Sequence, residues 1–504
     1  MPRAIACAAA FAVIVSSPLT RGQQTVDAPP APVQGGVMAA ADAQAFADAA
    51  AERLDYLPGQ VIVRFKDGVD VQGEQRALDA LRSRPAVDRL QWMGEFAVLR
   101  DASQPDARVL SEQLASQPEV AYAQPNYLRR KSLAPNDTGY APRQWNLQTI
   151  DMPHAWDINA GTRGDVTVAV VDTGITNFTG SLQFKTWNGS AIQTITVPFT
   201  SNPDLAVSRL VSATDFITGG GTTTLDTDGH GTHVSSTIGE DTNNNLLDAG
   251  IAYNARIMPV KVCASYWDVQ FAMSAAGIPG FADPDAGGCP TSAIAAGLHY
   301  AADNGAKVIN ISLGGDGASP TEQAALQYAL DKGVFIAIAA GNSKLEGNPT
   351  QYPAFYGQSM QGVMAVGATN RSGNRASYSS TGSYVDIAAP GGDPSDSDAA
   401  GNGYIWQSTL RPSVSDPSLV LFPRFDAYAE VGYAGTSMAS PHVAGVAALL
   451  YSQGITKPAA IEQALKRSAK FLGTPSPSDP SRNDDFGSGL IQPRTALFGL
   501  GLRK

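Results

Sequence analysis

From residue 166 onwards, short apolar runs alternate with amphipathic stretches. The runs at 166–171, 255–262, 307–313, 334–340 and 363–367 are rich in Val, Ile and Ala. They lack a regular polar position at every second residue, the pattern of strands covered on both faces. Residues 291–303 have helical spacing, and Ser319-Pro320-Thr321-Glu322 opens a second helix that Gly333 should stop. Ser is a good N-cap, Pro fits the first turn, and Glu is expected to complete a capping box. Strands and helices in alternation predict an α/β domain with right-handed crossovers. Upstream the texture differs. Residues 60–65 alternate like a strand, 74–81 and 106–117 have helical spacing, and 96–99 and 120–123 are again strand-like. This order predicts a separate α+β unit of about 75 residues. Residues 23–51 are Ala-, Gln- and Pro-rich with no apolar period, and are expected to form a linker or leader.

Composition narrows the class. The chain has 504 residues, 43% hydrophobic and 16% charged, enough for a large core. Nearly all of the formal net charge of −11 lies beyond residue 133, which argues against nucleic-acid binding. Arg3 followed by an apolar run over residues 4–15 and then Ser16-Ser17-Pro18 has the layout of a secretory signal, with cleavage expected between Ser17 and Gly22. That run is too short to cross a bilayer, which needs about 20 residues. Outside it remain Cys263 and Cys289. They are either two unrelated thiols or one bridge, and export with an even count favours the bridge. Such a closure would add about 3 kcal/mol in the chain-entropy account.

Three polar strings stand at glycine-marked boundaries between strand-like and helix-like segments. Asp172 follows the apolar run 168–171, where a carboxylate emerges at the C-terminal end of a strand. His230 lies between Gly229 and Gly231, which permit close backbone approach. Ser437 precedes the small-residue run 438–450 and should sit at a helix N-terminus, where free amides favour a negatively charged intermediate. Separately these are a turn aspartate, a structural histidine and a helix cap. Together they are the acid, base and nucleophile that make a hydroxyl reactive at neutral pH. A zinc reading of His230 and His233 fails, because they are three apart with no adjacent Glu.

The strings Val170-Val171-Asp172-Thr173-Gly174, Gly229-His230-Gly231-Thr232-His233 and Gly435-Thr436-Ser437-Met438-Ala439-Ser440-Pro441-His442 resemble the motifs of the subtilisin-like serine proteases, the subtilases. The order Asp, His, Ser is also that of the family. The resemblance implies an α/β, subtilisin-like three-layer fold with a mostly parallel central sheet, preceded by a small α+β propeptide domain. It implies a secreted serine endopeptidase of the bacterial type that works through an acyl-enzyme on Ser437 and removes its own propeptide. His233 would be structural. Asn342, in its Ala-Ala-Gly-Asn context, would stabilise the oxyanion together with the Ser437 amide. That donor is worth about 2.7–4 kcal/mol in subtilisin, the handiest reference. Ser312, Leu313 and Gly314 would pair with the substrate backbone, and Ala339, Ala340 and Gly341 would help wall the first specificity pocket.

The implied organisation is a signal over residues 1–22, a linker over 23–57, an inhibitory propeptide over 58–131 and a catalytic domain over 132–504. The propeptide's tail would occupy the substrate cleft until cut. No cofactor is needed for the chemistry. A structural calcium is implied at Asp204, Thr242, Asn244, Leu246 and Asp248, oxygen donors that suit a hard cation. Expected partners are peptide and protein substrates and the propeptide itself, with no nucleic acid, no membrane span and a monomeric state. Two polar insertions, 176–200 and 392–430, depart from compact members and are expected as loops that rim the cleft. An ordinary imidazole at His230 would place the acid limb of activity at roughly 6–7. The alternatives are an inactive protein retaining the fold, and a narrow dibasic-specific protease, suggested by Arg129-Arg130-Lys131.

Overall fold

A computed structural model describes residues 39–498, apart from 52, 53, 55, 102, 104, 105, 129–133, 160–165, 220 and 400. The signal segment, most of the linker and the basic tract at 129–131 lie outside the described residues. The chain divides into two units, one up to Arg129 and one from Arg130.

The first unit contains α1 (Ala40–Ala51), β1 (Tyr56–Phe65), α2 (Val71–Asp79), β2 (Leu90–Met93), β3 (Phe96–Arg100), α3 (Ala107–Ala115) and β4 (Val120–Tyr127). Its four strands form an antiparallel sheet in the order β2-β3-β1-β4. Val61 and Val63 of β1 share a core with Leu78, Leu99, Leu110 and Leu114. Asp70 and Asp106 cap α2 and α3 through the Gly73 and Arg108 amides. The expected linker over 23–57 is corrected at its end. Residues 40–51 form a helix, and β1 begins at Tyr56. Among its described side chains the helix buries Ala45 and Ala49 beside Leu57, too small to print an apolar period. Asp42 ties it to the sheet by accepting from Arg100 Nε at 2.8 Å and Gln60 Nε2 at 2.9 Å.

In the second unit three short helices, α4 (Tyr140–Arg143), α5 (Trp145–Thr149) and α6 (Met152–Trp156), lead to β5 (Thr167–Asp172). A hairpin of β6 (Gly180–Trp187) and β7 (Ile192–Phe199) follows, then β8 (Thr214–Asp215), α7 (His230–Gly239), β9 (Arg256–Lys261), α8 (Tyr266–Ala275) and α9 (Thr291–Asp303). Next come β10 (Val308–Ile311), α10 (Pro320–Asp331), β11 (Phe335–Ala339), β12 (Val363–Thr369) and β13 (Val385–Pro390). The last stretch holds β14 (Ile405–Leu410), α11 (Pro412–Ser415), β15 (Tyr428–Tyr433), α12 (Thr436–Ser452), α13 (Pro458–Ser468) and α14 (Pro493–Phe498).

Seven strands make one parallel sheet in the order β13-β12-β11-β10-β5-β9-β8. Its two faces explain the unbroken apolar runs. Val168 and Val170 of β5 enter one core with Val234, Ile238 and Val443, while Ala169 and Val171 enter another with Ile294, Leu298 and Leu326. Successive side chains of one strand thus serve helix layers on opposite sides. Ser319 caps α10 by accepting from the Glu322 amide at 3.2 Å, but the expected capping box does not close, because the Glu322 carboxylate meets Thr291 instead.

Neither insertion is an irregular loop. The first is the β6–β7 hairpin and the second contains the β14–β15 pair. They pack on each other through Phe199 and Phe425, stacked with ring centroids 5.1 Å apart. The backbone continues that contact, since Thr200 N donates to Phe425 O at 3.1 Å and Phe425 N to Pro198 O at 3.0 Å. Cys263 and Cys289 form a disulfide that closes the loop after β9. No helix among the described residues is long and apolar enough to cross a membrane.

Candidate active site

The C-terminal end of the sheet gathers the polar strings. Asp172 ends β5 and is buried. Its Oδ1 accepts from the Thr173 amide at 2.7 Å and meets His230 Nδ1 at 2.8 Å. His230 is the first residue of α7, and the glycines around it have specific work. Gly229 has φ +105°, a conformation that favours glycine, and a Cβ on Gly231 would collide with the Gly174 carbonyl. This close approach is what brings the start of α7 against the end of β5.

A carboxylate that the sequence reading did not single out organises the same turn. Asp226, fully buried, accepts from the amides of Asp228, Gly229 and Thr232 and from the hydroxyls of Thr173 and Thr232. It thereby ties the turn before His230 to the residue after Asp172. The available signal was an aspartate shortly before a glycine-flanked histidine, where a side chain can bond the amides that follow.

Burial works against a charge on His230, but the attraction and hydrogen bond of Asp172, with Asp228 and Asp226 adding to them, raise the imidazole to about 9. The side chain keeps 28% of its surface exposed, so a substrate can reach it. His233 is its opposite. Burial lowers it to about 3, it stacks on Tyr433, and its Nε2 lies 3.1 Å from the carbonyl oxygens of both Ile405 and Val431. It is a neutral packing residue.

Ser437 lies in the first turn of α12, and its hydroxyl donates to the Ser312 carbonyl at 3.1 Å. Pro441, four residues on, has no N–H to offer the Ser437 carbonyl. The Ser312 hydroxyl takes that place, donating to Ser437 O at 2.8 Å, and receives in turn from Asn310 Nδ2 at 2.9 Å. The proline therefore leaves an acceptor that locks the helix start onto the end of β10. Asn342 follows β11, with Gly341 at φ +105° between them. Its Oδ1 accepts from the Thr436 amide at 2.9 Å and hydroxyl at 2.8 Å, which fixes the amide's orientation. Nδ2 then faces the bare side of Gly435. A Cβ there would lie 3.4 Å from Asn342 Nδ2 and 3.6 Å from Ser437 N, so the two donors border one small space that glycine keeps open.

The sheet also sets the other expected residues side by side. Ser312, Leu313 and Gly314 follow β10, while Ala339 ends β11 and Ala340 and Gly341 follow it, and the two strands are paired in parallel with Ile311 opposite Ile338. Gly315 exchanges backbone hydrogen bonds with Tyr352 at 2.9 and 2.7 Å.

Of the residues expected to bind a cation, Asp204, Asn244 and Asp248 come together. Asp204 is buried, bonded through Oδ1 to the Asn244 amide, and receives the Asp248 backbone amide at Oδ2, 3.2 Å away. Thr242 turns its hydroxyl towards the Gly250 amide, and the Leu246 side chain points to solvent. Asp137 and Glu240 join the group and were not anticipated. Burial raises Asp204 to about 6, against the lowering effect of its two hydrogen bonds. Burial beside Glu430 and Asp204 drives Asp248 well above the ordinary carboxylate range, and neither of its side-chain oxygens has a hydrogen-bond partner. Among the described residues, no three His, Cys, Asp or Glu side chains are grouped so as to hold a metal.

Comparison with known proteins places the chain in a family. The subtilase family profile matches residues 163–489, and the profile of the fervidolysin N-terminal prodomain matches residues 42–126, which takes in most of α1. The thermophilic serine proteinase of Bacillus sp. (strain AK1) is 33% identical over 84% of this chain and 85% of its own length. Thermitase of Thermoactinomyces vulgaris is 34% identical, with 64% of this chain and 86% of that protein covered. The extracellular protease of Xanthomonas campestris is 33% identical over 82% of this chain and 68% of its own. Among solved structures, a protease of Pseudoalteromonas arctica covers 73% of this chain and 99% of its own, with 29% identity and a TM-score of 0.53.

Proposed function

Given that the chain belongs to the subtilase family and is a serine endopeptidase, we propose that Ser437 is its nucleophile, His230 its general base and Asp172 the carboxylate that orients and stabilises the imidazole. The observation that carries the assignment is the His230 Nδ1 to Asp172 Oδ1 contact of 2.8 Å at the end of the sheet where α12 presents Ser437. In the resting arrangement the Ser437 hydrogen points at the Ser312 carbonyl. Attack requires its transfer to His230 Nε2, while the Nδ1 hydrogen stays on the ring and is donated to the Asp172 carboxylate, so that the ring becomes an imidazolium. Oxygen anion then develops in the space bordered by Asn342 Nδ2 and Ser437 N, donors oriented before the reaction begins. The imidazolium returns its proton to the departing amine, and water releases the acyl group by the same route.

The acid limb of activity follows from the raised imidazole. His230 must be neutral to accept a proton, and a raised pKa keeps it charged to a higher pH. The midpoint of kcat/KM is therefore expected between the ordinary value of about 6.5 and about 9, a range that extends well past the 6–7 that the sequence suggests. The difference comes from the carboxylates around His230, and a pH–rate profile that half-saturates at or below 6.5 would contradict it.

We further propose that the chain is exported by its signal segment and processed by itself. Support comes from the prodomain match over residues 42–126 and from a relative named as an extracellular protease. The prodomain would occupy the cleft of its own catalytic domain until cut. A structural calcium held by Asp204, Asn244 and Asp248, with the Thr242 and Leu246 carbonyl oxygens, fits the buried Asp248 oxygens that lack partners. Bound there, calcium would neutralise carboxylates and fix the loop, with no part in bond cleavage. At a hundredfold excess over Kd it should stabilise the folded protein by about 2.7 kcal/mol, raising Tm by a few degrees. Equal melting curves in calcium and in chelator would remove the proposal.

A further inference from the structure

Beside His230 the catalytic unit has a cavity of about 500 Å3, within the size range of ligand clefts. Three separate stretches wall it. Thr227 and Asp228 come from the turn before the histidine, Trp267 and Asp285 from the segment that includes the disulfide-closed loop, and Asp416 and Tyr433 from the insertion before α12 and the end of β15. The lining therefore has three carboxylates and no lysine or arginine. Neutral donors hold two of them in place. Asp228 accepts from the His230 amide at 3.1 Å, and Asp416 accepts from the Ser418 amide at 2.7 Å and from its hydroxyl. Such bonds orient both carboxylates, while burial and then Asp226 hold Asp228 above the ordinary carboxylate value. The Tyr433 phenol registers the shared field, being pushed up first by burial and then by Asp228, Asp226 and Asp416.

Aromatic and apolar wall with acidic edge is the complement of a long side chain that carries its charge at the tip. The methylene stem packs on the rings, and the cation meets the carboxylates. Asp228 is two residues from His230, which sets this opening next to the base that acts on the scissile bond. We propose that the cavity is a specificity site for a lysine or arginine side chain of the substrate near the bond that is cut, an inference that rests on the endopeptidase reading. The chain itself has such a sequence, Arg129-Arg130-Lys131, at the junction of its two units.

The test uses enzyme purified after expression of the full chain and quenched fluorescent peptides in which each position around the scissile bond is scanned. At one position, kcat/KM for lysine or arginine should exceed that for norleucine by about tenfold, since partly exposed charge pairs contribute about 0.2–1 kcal/mol each. Glutamate should be disfavoured, and raising the salt should shrink the preference. In the double variant Asp285→Asn/Asp416→Asn, which leaves Asp228, the lysine-to-norleucine ratio should fall by about fivefold. An active enzyme with equal rates for lysine and norleucine at every position overturns the inference alone, as does a ratio unchanged in the double variant. Failure to cleave any peptide, together with failure to react with a serine-directed phosphonate, would overturn the endopeptidase reading and the inference with it.

Discussion

Ser437→Ala is expected to lower kcat by about 10^6, the scale of nucleophile removal in subtilisin, and to leave the precursor uncut. The substitution removes the one atom that can form the acyl-enzyme. The oxyanion space bordered by Asn342 and the Ser437 amide survives, because alanine keeps the amide. Stability should change little. The hydroxyl's resting bond to Ser312 O is part-buried, and one such bond supplies about 1 kcal/mol. The Ser312 hydroxyl still satisfies the Ser437 carbonyl left free by Pro441. The variant should therefore melt close to the wild type, retain its full mass after expression in a protease-deficient host, and fail to react with a serine-directed phosphonate. Efficient self-processing of that variant would place the nucleophile elsewhere.

How far the sequence could be read depended on whether an element's signal was local. The five inner strands were legible because each is buried on both faces, so every side chain reports the environment; β5 is the clearest case, feeding two cores from alternate residues. The edge strands were not. β8 is two residues long, and in β13 Asp386 interrupts the apolar run, its charge held by the Ala365 amide and the Lys466 ammonium. The α1 helix escaped because alanine buries too little to mark a period. The β6–β7 hairpin had a usable signal in Asn188-Gly189 between alternating runs, with Gly189 at φ +95°. The candidate site divided in the same way. Asp172, His230, Asn342 and Ser437 sit in strings whose glycines exist for local backbone reasons. Asp226 left a local turn signal, but its bond to Thr173, like the exchange between Ser312 and Ser437, joins residues distant in sequence, and only three-dimensional proximity reveals those links.

Asp172→Asn should be nearly as damaging, and its pH dependence should separate charge from geometry. Asp172 Oδ1 faces two donors at once, the Thr173 amide and His230 Nδ1, while Oδ2 is buried without a partner. An asparagine would place its oxygen towards those donors and its amide at the unpartnered position, keeping the imidazole tautomer that lets Nε2 accept a proton. What disappears is the negative charge. For His230 the largest influence on its pKa is burial, which favours the neutral ring, and Asp172 is the strongest opposing one. Removing it lets the folded pKa fall, so neutral His230 persists to lower pH and the acid limb moves in the acid direction. The imidazolium formed during attack loses its stabiliser at the same time, and kcat should drop by about 10^4, the scale of removing this carboxylate in subtilisin. Both changes follow from one missing charge, so they must appear together. A variant within tenfold of wild-type kcat would show that the carboxylate has no part in the chemistry. A large loss with an unmoved acid limb would instead mean that asparagine turns its amide to His230 and holds the wrong tautomer, and the argument from the two donors at Oδ1 would fail.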